Sequence, residues 1–262
     1  MIALPDKDLQ KVIDSLVNSI KKTVTESGFN STVLGLSGGL DSALVAALSA
    51  HALGKENVTG IIMPYKFSSK ESVDDAFKMA HHLGINHELI DITPAVDTIA
   101  QNNMKNINYL TDGRLGNVMA RVRMITLFDY STVNKALVLG TSNKSEIEIG
   151  YFTLFGDYAS AINPIGSLYK TEVFAISKLI GIPEEIVSKP PTADLFKGQT
   201  DESDIGFSYA EMDPVIYAIT DLKMSPDEIT ALGHDEKLVK ELNRRITSMS
   251  FKRKLPQILK YE

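Results

Sequence analysis

The chain has no cysteine among its 262 residues. That excludes a disulfide framework, a thiolate nucleophile, a persulfide carrier and any zinc site built on thiolates. Long apolar runs are missing too. The most apolar stretch, 33–53, is broken by Asp41 and interspersed with glycine and serine, so it is no transmembrane helix. Basic charge is short as well: a formal net charge of -6 argues against a nucleic-acid binder, which needs a basic field to displace phosphate counterions. A local basic pocket for a small anion stays compatible with that balance. The first residues, 1–7, lack the basic stretch and apolar core of a signal peptide, and the expected compartment is the cytoplasm. The histidines show no metal-ligand spacing and are given no role. Neither G-x-x-x-x-G-K-[ST] nor G-x-G-x-x-G occurs, so a Walker A loop is excluded and a Rossmann dinucleotide role is unsupported.

What is present is a regular alternation. Leu9, Val12, Ile13, Leu16, Val17, Ile20 and Val24 recur at helical steps and predict one amphipathic helix ending near Gly28. Its apolar stripe reads as core or as a subunit contact. Short apolar runs at 32–36, 58–63, 88–92 and 136–140 predict buried strands, and helical patterns fill the segments between them. This predicts an α/β fold, a doubly wound parallel sheet flanked by helices, as a single domain over 1–262. Residues 189–206 are rich in Pro, Gly, Thr and Asp without periodicity and read as a mobile loop, followed by a helical C-terminal part over 207–262.

The sharpest signal is Gly35-Leu36-Ser37-Gly38-Gly39-Leu40-Asp41-Ser42, between a predicted strand and a predicted helix. Two glycines let the backbone approach a ligand, and the amides then face an anion at the positive end of the helix. Ser37 and Ser42 add hydroxyl donors, and Asp41 suits a divalent cation held against phosphate. A plain turn with a capping serine would need less.

The string S-G-G-x-D-S resembles the pyrophosphate loop of the ATP-pyrophosphatase (PP-loop) superfamily, whose members cleave ATP between the α and β phosphates and leave AMP on a substrate oxygen. Further segments are similar to those of the NAD synthetase family, in order along the chain: 116–124, 140–146, 150–157, 191–195, 199–204 and 251–253. The chain departs from some members at Leu154 and Ala161, where those have a lysine and an acidic residue, and from others at Phe251, where they have histidine. The resemblance implies an adenine nucleotide alpha hydrolase-like fold and an ATP-dependent ligase. It implies that deamido-NAD is adenylated, pyrophosphate is released, and free ammonia gives NAD and AMP. It implies ATP contacts from the loop 35–42, Thr141, Lys170 and Thr192, deamido-NAD contacts from Arg121 and Lys252, and Mg2+ held by Asp41 and Glu146. Asp41, Lys170 and Glu146 are the expected catalytic residues, and a homodimer is expected. Asp157 and Asp194 are the candidates for a general base. Glutamine-dependent members of the family carry an added amidase domain with a cysteine nucleophile, so the resemblance together with the missing cysteine and the short length implies free ammonia, or ammonia from another polypeptide. The alternatives at this stage are another PP-loop amidoligase and a non-catalytic ATP-sensing module. Asp41→Ala is expected to abolish turnover with the fold intact.

Overall fold

The computed structural model describes residues 2–103, 113–192 and 200–260. In chain order the elements are α1 (Leu9–Glu26), β1 (Ser31–Gly35), α2 (Leu40–Leu53), β2 (Val58–Ile62), α3 (Lys70–Leu83), β3 (Asn86–Leu89), α4 (Thr93–Asn103) and α5 (Arg114–Asn134). They continue with β4 (Ala136–Leu139), α6 (Lys144–Ile149), α7 (Lys170–Leu179), α8 (Glu184–Val187), α9 (Asp201–Ile205), α10 (Tyr209–Thr220), α11 (Pro226–Ala231) and α12 (Glu236–Ser248).

The strands pair in parallel in the order β3-β2-β1-β4, with Leu34 opposite Gly60 on one side and Leu139 on the other. Successive side chains of a strand face opposite ways, and β1 shows what that does. Leu34 enters one core with Ile20 of α1, Leu44 and Leu48 of α2, Met79 of α3 and Ile176 of α7. Val33 enters the other with Val96 of α4 and Met119 and Val122 of α5. Both faces of the sheet are covered, as the apolar strands require. The chain leaves β1 toward β2 and β3, then returns past α4 and α5 to β4 on the other flank of β1. The order therefore reverses between β1 and β4, and the crevice beyond their carboxyl ends is where open α/β sheets bind ligands.

Some predicted boundaries move. The third strand lies at Asn86–Leu89, earlier than 88–92, because Ile90 and Ile92 bond to Ile62 and Pro64 beyond the regular ladder. The segment read as a structureless loop, 189–206, contains α9, opened by Thr200 accepting from the Ser203 N–H. Residues 193–199 of that loop, which include Asp194, and most of the polar stretch 101–108 lie outside the described residues. The stripe of α1 is spent in the core: Ile13, Ile20 and Val24 are buried there, and Leu9, Val12, Leu16 and Val17 pack against it. A subunit contact through that stripe is thereby removed.

A third core joins Ile149 of α6 to Tyr209, Met212 and Ile216 of α10 and to Leu238 and Leu242 of α12. Asp221, at the end of α10, ties that helix to the starts of α6 and α7. It accepts from Lys144 Nζ at 2.7 Å and from the Tyr169 hydroxyl at 2.7 Å. Burial opposes the charge on Asp221, but the hydrogen bonds from Lys144, Tyr169 and Thr220 hold its pKa down at about 2. A folded value below the ordinary 3.8 means the contribution is complete above about pH 4 and fades as the pH falls toward 2. Because the Asp221 side chain is 37% exposed, solvent screening leaves on the order of 1 kcal/mol. Asp221→Asn should therefore unfold more easily than the parent at pH 7, with the difference shrinking at pH 2.5. Denaturant midpoints at the two pH values test this, and an equal difference at both would remove the assignment.

Candidate active site

The turn from β1 to α2 is built by its own backbone and two serines. Leu36 continues the ladder by donating to Ile61 O at 2.9 Å, and Ala43 donates to Gly39 O at 3.1 Å to start α2. Gly38 has φ +79, and a Cβ there would lie 2.2 Å from the Ser72 carbonyl oxygen of α3. Only glycine fits, for both reasons. Gly39 is the N-cap and supplies no side-chain cap, so the first amides of α2 are not covered by a side chain at that position. Ser42 lines the polar cavity and is largely buried; its hydroxyl donates to Gly39 O at 2.9 Å while accepting from the Ser37 N–H at 3.2 Å. It knits the loop together.

Two neighbouring cavities open at the carboxyl edge of the sheet. One, of about 220 Å³, is mainly apolar, lined by Gly35, Leu36, Ile62, Met63, Leu127 and Leu139 among others. The other, of about 150 Å³, is lined by Ser37 to Ser42, Glu146, Lys170, Lys189, Thr192 and Asp201. Ser37, Ser72, Thr141 and Asp157 line both, so the two are continuous.

Asp41, Glu146 and Lys170 meet in the second cavity. Lys170 is the first residue of α7 and 2% exposed, which excludes a solvated surface lysine. Its Nζ donates to Asp41 Oδ2 and lies 3.5 Å from Glu146 Oε1. Burial disfavours its charge, but Asp41 and Glu146 more than offset that and raise its pKa. Burial and the Asp41 charge push Glu146 up to about 8, with Lys170 pulling the other way. Asn143 was not singled out from the sequence, yet it joins the two carboxylates. Its side chain donates to Asp41 at 2.9 Å and accepts from the Glu146 N–H at 3.0 Å, and Glu146 returns the bond at 3.2 Å in a capping box.

A carboxylate pushed to about 8 is short of positive charge, and Asp41 and Glu146 are oxygen donors that a single ammonium already reaches. Their donor set therefore fits a hard divalent cation that takes its remaining ligands from phosphate and water. Among the described residues no group of three or more carboxylates or histidines could hold a metal without such help.

Three further residues line the polar cavity, of which Asp201 falls in the family-like segment 199–204 and Lys189 and Ser72 in no such segment. Lys189 pairs with Asp75 of α3 at 2.9 Å. Asp201 accepts from the Tyr209 hydroxyl at 3.0 Å, while its Oδ1 is buried with no hydrogen-bond partner among the described residues. Ser72 backs the phosphate loop. Asp157 accepts from the Thr153 N–H at 2.7 Å, and burial raises its pKa.

Arg121 and Lys252 stand elsewhere. Arg121 is on the exposed face of α5, with Nη2 donating to Leu154 O at 3.2 Å, and lines neither cavity. Its neighbour Arg123 turns inward, donates to Met63 O at 3.1 Å and lines the apolar cavity. Lys252 donates to Gly150 O at 2.8 Å and Phe152 O at 2.7 Å, and burial lowers its pKa.

An amide-lined turn at the switch point of a parallel sheet, an apolar cavity beside it and a buried Lys–carboxylate cluster define the class: an α/β nucleotide-binding protein of the PP-loop kind. Within that class, the family model for NAD synthase matches residues 12–256, and the chain belongs to that family. It is 46% identical to the NH(3)-dependent NAD(+) synthetase of Fusobacterium nucleatum subsp. nucleatum, over 97% of each chain. It is also 46% identical to the protein of that name from Chlorobaculum tepidum, over 94% of this chain and 87% of the relative. Among solved structures it resembles the NH3-dependent NAD synthetase of Campylobacter jejuni, in complex with nitrate, at TM-score 0.83 and 37% identity over 97% and 100% of the two chains. It resembles the NMN synthetase of Francisella tularensis at TM-score 0.86 and 31% identity, over 98% and 100%.

Gly38→Ala should cost about 1–2 kcal/mol for the left-handed backbone alone, before the clash with Ser72 is counted. A lower thermal midpoint together with lost ATP binding is the expected result. A variant that binds ATP like the parent would show the turn to be dispensable.

Proposed function

We propose that this chain is an ATP-dependent ligase that adenylates deamido-NAD and amidates it with free ammonia, releasing pyrophosphate and then AMP. The observation that carries the reading is the buried Asp41–Lys170–Glu146 cluster, placed directly beside the phosphate loop. The names of its relatives, NH(3)-dependent NAD(+) synthetases, support the substrate class.

The adenine half of ATP fits the apolar cavity, and the triphosphate fits the polar one against Gly35, Leu36, Ser37, Gly38, Gly39, Leu40, Asp41 and Ser42. Thr141 and Thr192 face the phosphates. A carboxylate oxygen of deamido-NAD attacks the α-phosphorus, and the bond to the bridging oxygen breaks in line, with pyrophosphate taking the electron pair. Lys170 supplies a desolvated positive charge to that leaving group. Asp41 and Glu146 would hold Mg2+, which when bound adds positive charge at the phosphate oxygens. Ammonia then attacks the acyl carbon, AMP leaves, and the nitrogen sheds a proton to a base, for which Asp157 is positioned between the cavities. Arg121 and Lys252 serve the deamido-NAD side. Arg121 does so from the α5 surface, where Ile125 and Phe128 are exposed on the same helical face, 59% and 39%. That apolar face supports a homodimer meeting through α5, with the dinucleotide beside the interface. No described helix is long and apolar enough to cross a membrane, and the cytoplasm, where ATP is at hand, belongs to the same reading.

With ATP, Mg2+, deamido-NAD and ammonium, NAD, AMP and pyrophosphate should form in equal amounts, and glutamine should replace ammonium poorly. ADP as product, or no product, would refute the reading. The buried pairing also changes what Asp41→Ala should do. Leaving the Lys170 ammonium with one partner should destabilise the fold by about 3–5 kcal/mol, so loss of activity in that variant would be ambiguous. Asp41→Asn keeps the shape and should lower kcat by roughly a hundredfold or more, with the far-ultraviolet spectrum of the parent. Ile125→Glu combined with Phe128→Glu should give a monomer by light scattering; a dimer of unchanged mass would place the interface elsewhere.

A further inference from the structure

Asp213, on α10, is fully buried, and the reaction above makes no use of it. A carboxylate taken out of water is strongly disfavoured unless hydrogen bonds replace its solvation. Each bond it makes goes to one of two places. Oδ1 accepts from the Ser145 hydroxyl at 2.6 Å, and Oδ2 accepts from the Thr171 N–H at 2.9 Å and the Thr171 hydroxyl at 2.8 Å. The Ser145 hydroxyl oxygen in turn accepts from the Lys170 N–H at 2.9 Å. Ser145 is the residue before Glu146, and Thr171 is the residue after Lys170. One carboxylate thus closes the first turn of α7 and reaches the first turn of α6, where an anion is also favoured by both helix dipoles. Burial pushes the Asp213 carboxyl up, and the bonds from Ser145 and Thr171 pull against that push.

We infer that Asp213 is a positioning residue, holding the first turns of α6 and α7 together so that Glu146 and Lys170 meet Asp41 at the phosphate loop. Packing alone does not call for a charge here: a buried ionic group replaced by an apolar one of like volume is often neutral or stabilising. What the charge supplies is direction. It has three donors in fixed places, two of them on the backbone or side chain next to Lys170 and the third next to Glu146. The inference rests on the adenylation reading of the site.

The test is steady-state kinetics on the full chain with ATP, Mg2+, deamido-NAD and ammonium, at a temperature where circular dichroism shows each protein folded. Asp213→Asn keeps the shape but turns an NH2 donor toward groups that themselves donate. It should lower kcat about a hundredfold, the cost of displacing reacting groups by about an ångström. The KM for ATP should stay within about threefold, because the apolar cavity and the phosphate loop are untouched. Thr171→Val keeps the backbone bond and loses only the hydroxyl. It should lower kcat about tenfold with the same unchanged KM, and it decides the matter if the asparagine variant does not fold. A kcat in the folded variants within about twofold of the parent overturns the inference, as does a fall in kcat matched by an equal rise in the KM for ATP. The parent assayed alongside separates the two readings. If the parent makes no AMP and pyrophosphate, the adenylation reading falls; if it turns over and the variants match it, the positioning role alone falls.

Discussion

The constraint on which this structure turns is an ammonium group buried at the start of a helix. Lys170 faces the positive end of the α7 dipole and is 2% exposed, two circumstances that each disfavour its charge. It is held by Asp41 and Glu146, which come from α2 and α6. Three chain segments are therefore tied at one point by charge, and removing either carboxylate leaves the buried ammonium with a single partner. A salt bridge of this kind adds little net stability once desolvation is counted. What it provides is a cation already stripped of water and fixed beside a loop of backbone amides, the arrangement that favours charge developing on a leaving phosphate.

The sheet makes that meeting possible. Because the strand order reverses between β1 and β4, a crevice lies beyond the carboxyl ends of these two strands. The turn after β1 carries Asp41 into it, and the turn after β4 carries Thr141, Asn143 and Glu146. Gly38 lets the first turn pass against α3, where any side chain would meet the Ser72 carbonyl. Asn143 then fixes the carboxylates to each other across the crevice.

Features set by neighbours in sequence were legible before the structure: the apolar strands, the glycine turn, the acidic residue at the start of α2 and the amphipathic α1. Those set by partners far along the chain were not. Asn143 acts through Asp41, Lys189 through Asp75 and Asp213 through Ser145 and Thr171, and nothing in the residues around each of them announces the partner. The helical conflict at Lys170 was a usable signal, since a cation at a helix start needs some other reason to be there. Arg121 and Arg123 show the opposite case. Helical spacing says that they diverge but not which of them faces the sheet, and it is Arg123 that lines the cavity while Arg121 faces out. The short α9 escaped because five residues carry too little periodicity to read.

The C-terminal helices have a core of their own, and their apolar side chains could pack in many registers. Polar anchors select one. Asp221 ties the end of α10 to Lys144 and Tyr169, and Asp213, two turns earlier, ties its middle to Ser145 and Thr171. Both anchors land on the first residues of α6 or on the start of α7, the two helices that carry Glu146 and Lys170. A shift of α10 by one turn would break both anchors. The third layer is therefore coupled to the charged cluster through direction-dependent bonds rather than through burial alone.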